Sequence, residues 1–124
     1  MLDYTPDVED VKVAILHGQE YDYILLEEYI YITKAGLKII VPKGFRTDFA
    51  STPKFMWNII PPTGKYTRAS LVHDFLYSTD CKLILNRRVC DSIFNEVMEA
   101  HGTSVYRRES MYRAVRLFGS SHFR

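Results

Sequence analysis

The sequence predicts an α+β domain, a small antiparallel sheet in the N-terminal half packed by three to four helices in the C-terminal half. Strand-forming residues, β-branched and aromatic, gather before about residue 48 and are punctuated by glycine and proline. Apolar residues at helical spacing gather after about residue 53 and are punctuated by capping residues. No repeat, low-complexity tract or long linker divides the chain, so residues 1–124 read as one domain, with strands over about 11–48 and helices over about 53–118.

The elements follow in order. Val11 to Leu16 is β-branched and partly alternating. Tyr23 to Thr33 reads as a longer strand in which Tyr29 and Tyr31 alternate with Ile30 and Ile32. Lys34-Ala35-Gly36 supplies a tight turn with a glycine suited to positive φ, and Leu37 to Val41 returns as the partner strand. Pro42 and Gly44 close the hairpin. Thr52 before Pro53 predicts a capped short helix over Pro53 to Ile60, stopped by Pro61-Pro62-Thr63-Gly64. A second helix spans about Thr67 to Tyr77, with Leu71, Val72, Phe75 and Leu76 on one arc. Asn86 caps a third, whose core face is Val89, Cys90, Ile93, Phe94, Val97 and Met98 and which Gly102 stops. A last helix over about Ser104 to Phe118 turns Met111, Val115 and Phe118 inward and ends at Gly119.

Apolar residues make up 47% of the 124 and charged residues 25%, which suits a folded chain with a sizeable core and excludes a disordered one. No apolar run reaches the roughly 18 residues of a membrane span, and the acidic start MLDYTPDVED is unlike a signal peptide. The net charge of +1 conceals an asymmetry: residues 1–62 carry six Lys/Arg against nine Asp/Glu, and residues 63–124 carry ten against six. The arginines of that second half read as a solvated helical face with i,i+4 ion pairs, because a dedicated nucleic-acid binder is far more basic overall. Cys81 and Cys90 lack metal-site spacing and are expected as free thiols.

The candidate site lies between Val41 and Tyr77. Thr47, Asp48 and Ser51 follow a strand, and His73, Asp74 and Tyr77 share a helix with Ser70 on the arc opposite the apolar residues. That arc is also what the wet face of any amphipathic helix looks like. Asp48 alone reads as a turn-forming residue and Ser51 as a helix cap, whereas Tyr77 one turn from His73 favours partial burial. Arg87 and Asp91, four residues apart at the edge of an apolar stripe, are placed to face a neighbouring helix.

Three chemistries fit this cluster. His73, Asp48 and Asp91, with Asp74 as a further carboxylate, form a mixed N/O set that Zn²⁺, Mn²⁺ or Fe²⁺ would accept, and a metal-held water would then hydrolyse an ester or amide. Without metal, Asp48 would orient His73 as a base, with Asp74 beside it, although no nucleophile elbow surrounds Ser51. As a structural network, the hydroxyls, carboxylates and imidazole would pin the loop to the helix.

The ordered blocks Val41-Pro42-Lys43-Gly44-Phe45, Thr47-Asp48-Phe49-Ala50-Ser51-Thr52-Pro53, His73-Asp74-Phe75-Leu76-Tyr77, Arg87 with Asp91 and Phe94, and Tyr112-Arg113-Ala114-Val115-Arg116-Leu117-Phe118-Gly119 resemble a phage and prophage family catalogued as domain of unknown function 1353. Cys90, where that family has alanine, and Phe49, where it has a small residue, are the departures. The resemblance covers nearly the whole chain and implies a bacteriophage origin, a compact α+β fold and no established activity. The company of tail and lysis genes that it implies makes a particle-associated role the leading expectation.

On that expectation the chain is a virion or tail component, structural or assembling, with other phage structural proteins as partners. It would reside in the host cytoplasm during infection and then in the particle. The competing expectations are a metal-assisted hydrolase of cell wall or nucleotide and an inhibitor of a host defence enzyme. Nucleic acid is not expected as the main ligand.

Overall fold

A computed structural model describes residues 13–15, 23–47 and 64–124. Its strands are β1 (Val13–Ile15), β2 (Tyr23–Leu25), β3 (Tyr29–Ile32), β4 (Lys38–Val41) and β5 (Arg46–Thr47), and its helices are α1 (Gly64–Tyr77), α2 (Arg87–Ala100) and α3 (Val105–Phe118), with a 3₁₀ turn over Ser120–His122. Strands precede helices, so the expected α+β class is the observed one.

The strand region forms two antiparallel sheets. One has the order β1-β2-β5 and the other is the β3–β4 hairpin. The hairpin turns where the glycine predicts: Thr33 accepts from the Gly36 amide and donates its own amide to Leu37, while Gly36 adopts φ +93°. Ile30 faces Ile40 and Ile32 faces Lys38 across the pair. Strand alternation then buries Ile39 and Val41 against the helices and turns Ile30, Ile32 and Ile40 outward.

The continuous strand expected over Tyr23 to Thr33 is instead two strands in separate sheets. Leu25 exchanges backbone hydrogen bonds with Gly44 and Phe45, each at 2.8 Å, and its side chain is buried. The chain bends after it, and only then does β3 pair with β4. The run of apolar residues hides this bend because both pieces have the same strand-forming composition. The short helix expected over Pro53 to Ile60 lies outside the described residues.

α1 starts at Gly64, earlier than its apolar spacing shows, and packs between the strands and α2. Every residue from Arg68 to Tyr77 is buried except Asp74, which is half-buried. The arc of Ser70, His73, Asp74 and Tyr77, which the sequence left open between a wet face and a site, therefore packs against other elements. Fully burying side chains such as Leu71 and Leu76 contributes about 1.5–3 kcal/mol each. α2 begins at the expected cap, where Asn86 Oδ1 accepts from the Val89 amide at 2.8 Å, and α3 begins at a cap not singled out in the sequence, where Ser104 Oγ accepts from the Arg107 amide at 3.4 Å. Cys90, Ile93, Phe94, Val97 and Met98 are buried as read, but Val89 is exposed because it occupies the first turn, beyond the helix contact. At the end of α3, Phe118 is also exposed, and Ala114 joins Met111 and Val115 in the core instead.

Gly119 ends α3 for a steric reason. Its φ is −87°, open to any residue, but an added Cβ would lie 2.5 Å from the Val115 carbonyl and 3.1 Å from the Tyr77 hydroxyl. The chain after it folds back over α1. Arg124 donates its amide to the Tyr77 carbonyl and a guanidinium N–H to the Leu76 carbonyl, taking up acceptors that the end of α1 leaves open. Phe123 meets the Tyr77 ring edge-on at 5.1 Å.

Candidate functional site

α1 and α2 make the most extensive helix contact in the described structure, and where the end of α1 meets the start of α2 lies a carboxylate. Asp91 projects from the buried stripe of α2 and is fully excluded from solvent. One of its oxygens, Oδ1, accepts from His73 Nε2 at 2.7 Å and from the Tyr77 hydroxyl at 2.6 Å. The other, Oδ2, accepts from Arg116 Nη1 at 2.7 Å, with Arg87 Nη1 3.6 Å away. Three helices thus converge on one side chain. The spacing explains how: His73 and Tyr77 are one turn apart on α1, as Arg87 and Asp91 are on α2.

Arg87 does more than flank Asp91. Its guanidinium donates to the Val115 and Arg116 carbonyls at 3.1 and 3.3 Å, capping the last turn of α3, and to the Tyr77 hydroxyl at 3.4 Å. His73 packs between aromatic rings, 4.2 Å from that of Tyr77 and 4.6 Å from that of Phe94.

The protonation states follow from burial and partners. Burial lowers the His73 pKa below its ordinary value, and this outweighs the upward pull of its Asp91 hydrogen bond and of the Asp91 and Asp74 charges. The imidazole is therefore neutral and carries its proton on Nε2, facing Asp91 Oδ1. Burial pushes the Asp91 carboxyl up, but the hydrogen bonds from His73, Tyr77 and Arg116 overcome it and the net shift is downward. Asp91 is the anion of the cluster, and Arg116 and Arg87 are its countercharges. Burial and the Asp91 bond push the Tyr77 phenol well above its usual range, so it stays a donor.

The other half of the expected constellation faces a different way. Thr47 donates its hydroxyl to Asp74 Oδ2, joining β5 to α1. β5 and the His73 helix therefore meet through that bond, and the loop that follows β5 lies outside the described residues. Asp74 points toward the strands while His73 and Tyr77 point toward α2, so the described residues form two clusters on α1. Asp48 and Ser51 lie outside the described residues.

At the contact of His73 Nε2 with Asp91 both carboxylate oxygens are already occupied, and Asp48, the third residue of the expected metal set, lies outside the described residues. Oδ1 already takes two donors and Oδ2 takes a guanidinium, so an ion would displace short hydrogen bonds beside two arginines. Among the described residues, no group of three or more His, Cys, Asp or Glu has metal-holding geometry. Cys81 and Cys90 are free and buried, and burial pushes the Cys90 thiol up to about 11.

The residue patterns missed Arg116, which looked like one more solvated arginine of α3. Its place in the Tyr112–Gly119 block and its spacing one residue after the buried Val115 were the available signals. They also missed a second inward arginine. Arg68 is fully buried on α1, and its Nη1 lies 3.0 Å from His101 Nδ1, with the Tyr29 hydroxyl 3.4 Å from Nε2 of the same ring. Tyr31 and the Lys34 amide both donate to Glu96, at 2.7 and 2.8 Å, and so anchor the hairpin to α2.

Comparison with known proteins adds a family. Residues 23–115 match the family described as protein of unknown function (DUF1353). An uncharacterized protein of Sinorhizobium fredii, y4jT, is 33% identical over 97 residues, covering 77% of this chain and 28% of its own length. The chain therefore spans little more than a quarter of that relative. No solved structure matches. No helix among the described residues is long and apolar enough to cross a membrane.

Proposed function

The chain belongs to the family described as protein of unknown function (DUF1353), and from that premise we propose that it is a structural or assembly component of a bacteriophage particle, at the tail, rather than a hydrolase. One observation carries the non-catalytic half of this reading. The residues most like a catalytic set, His73 and Asp91, are both wholly buried, and their facing polar atoms are spent on one another, on Tyr77 and on Arg116. A general base must reach a substrate proton within hydrogen-bond distance, directly or through one water. A satisfied buried network instead fixes the relative placement of the elements that carry it. Here it locks three helices into one rigid body, as a particle subunit requires.

The particle half rests on the tail and lysis gene company that the family resemblance implies, and it is an argument by analogy. Mass spectrometry of gradient-purified virions from the encoding phage tests it: the polypeptide is expected at a constant ratio to the major tail protein. Its absence from particles that still infect would overturn the reading. The hydrolase rival predicts stoichiometric divalent metal that is lost in His73→Ala. Metal-free wild-type protein with an unchanged melting temperature in chelator is the expected result.

A further inference from the structure

One end of the molecule is built from the loop after α1, the first turn of α2 and the last turn of α3. Contacts hold these pieces together: Arg87 bonds the Val115 and Arg116 carbonyls, and Arg124 bonds the Leu83 and Leu76 carbonyls. Lys82, Arg88, Arg113 and Arg124 are exposed there and Arg87 and Arg116 half-buried; against them stand exposed Asp80 and, one turn back on α3, exposed Glu109, which lies 3.6 Å from Arg113 in a solvent-facing pair that leaves the guanidinium accessible. Large apolar side chains stand among these charges. Ile84 is 98% exposed, Leu117 73% and Phe118 56%.

A single apolar side chain in water is ordinary. Ile84 is different because its loop is held in place. Leu83 and Leu85 on either side pack against the core, and Arg124 grips the Leu83 carbonyl, so Ile84 is projected outward from a fixed backbone. Basic side chains outnumber acidic ones at this end, whereas at the opposite end of α2 Lys34 is matched by Glu99 at 3.1 Å.

We propose that this arginine-rich end is a docking surface for a protein partner whose face is acidic around an apolar pocket, with Ile84 and Leu117 as anchors and Arg88 and Arg113 as the surrounding charges. The charge selects an acidic partner. The anchors select protein over nucleic acid, because a phosphate backbone offers no apolar pocket and stacked bases call for aromatic or arginine platforms. Apolar anchors ringed by arginine are the composition of protein interfaces. The inference rests on the particle reading for where the partner resides: it is another component of the same particle.

The test compares occupancy in purified particles for phage encoding the wild type, Ile84→Asp with Leu117→Asp, Arg88→Glu with Arg113→Glu, and Ile32→Asp on the outer face of the hairpin as a control. Purified proteins are first matched for melting temperature, which exposed positions should leave unchanged. Both patch variants are expected to fall at least about ten-fold in copies per particle while Ile32→Asp stays at the wild-type level. Patch variants at wild-type occupancy overturn the docking surface and leave the particle reading intact. Wild-type protein missing from particles overturns the particle reading, and the docking surface with it. Binding of a duplex DNA probe that Arg88→Glu with Arg113→Glu abolishes, but Ile84→Asp with Leu117→Asp retains, overturns the protein partner in favour of nucleic acid.

Discussion

α1 and α2 are equally long and lie against one another, yet they were built on different plans. α2 is two-faced: Cys90, Ile93, Phe94, Val97 and Met98 point into the core while Arg88, Ser92 and Glu99 stay in water. α1 is enclosed, so Ser70, His73 and Tyr77 go inside with Leu71 and Leu76. A two-faced helix needs only apolar partners. An enclosed helix with polar residues needs a donor or acceptor supplied from elsewhere for each of them, because an unpaired polar group in the interior costs about 1–3 kcal/mol. Asp91 is the acceptor that α2 supplies, and Arg116 from α3 balances its charge.

Substitutions sharpen that contrast, and the largest effect belongs to the acceptor. Asp91→Ala strands three donors, one of them a guanidinium, and should cost about 3–5 kcal/mol in denaturant unfolding. Ser92→Ala, next to it on the wet face, should stay within about 0.5 kcal/mol. Equal losses at the two positions would erase the distinction between the faces. Tyr77→Phe comes next: it removes one hydrogen bond to a charged acceptor and leaves the ring against His73 and Phe123, for about 1.5–3 kcal/mol.

Acid should act through the same cluster. The His73 pKa is lower in the folded chain than its ordinary 6.5, so the unfolded chain takes up a proton that the folded one refuses. Stability is then complete above about pH 6.5 and falls as pH drops below it. Asp91, also shifted down, adds its own loss at lower pH, through and below its ordinary 3.8. His73→Gln keeps a donor without the titration, and it should flatten the fall between pH 6.5 and 5 measured by urea midpoints. A smaller effect is reserved for the two-faced helix: Asn86→Ala deletes the cap of α2 and should cost about 1 kcal/mol.

The same contrast explains what the sequence made legible. α2 and α3 declare themselves through Asn86 and stripes of apolar residues, because a helix facing water on one side must alternate. The hairpin declares itself through Gly36 and the Tyr–Ile alternation, for the same reason at period two. α1 does not, since burial on all sides removes the alternation and makes His73 and Tyr77 look like a wet face. The break after Leu25 is hidden because its cause, the pairing of Leu25 with Gly44 and Phe45, is a contact between distant residues. Of the site, the Arg87–Asp91 spacing and the conflict of placing Tyr77 in water were readable. The role of Arg68 was not, because nothing local tells an inward arginine from a solvated one, and for Arg116 the only signals were its place in the Tyr112–Gly119 block and its position beside Val115.

Long-range ¹H–¹⁵N correlation spectra of the histidine rings, followed from pH 8 downward, test most directly whether the Asp91 network is a sealed structural pin. The account predicts that His73 holds a neutral ring protonated on Nε2, unchanged until the protein itself unfolds. A His73 ring that titrates freely near 6.5 in the folded protein, or that carries its proton on Nδ1, would contradict it.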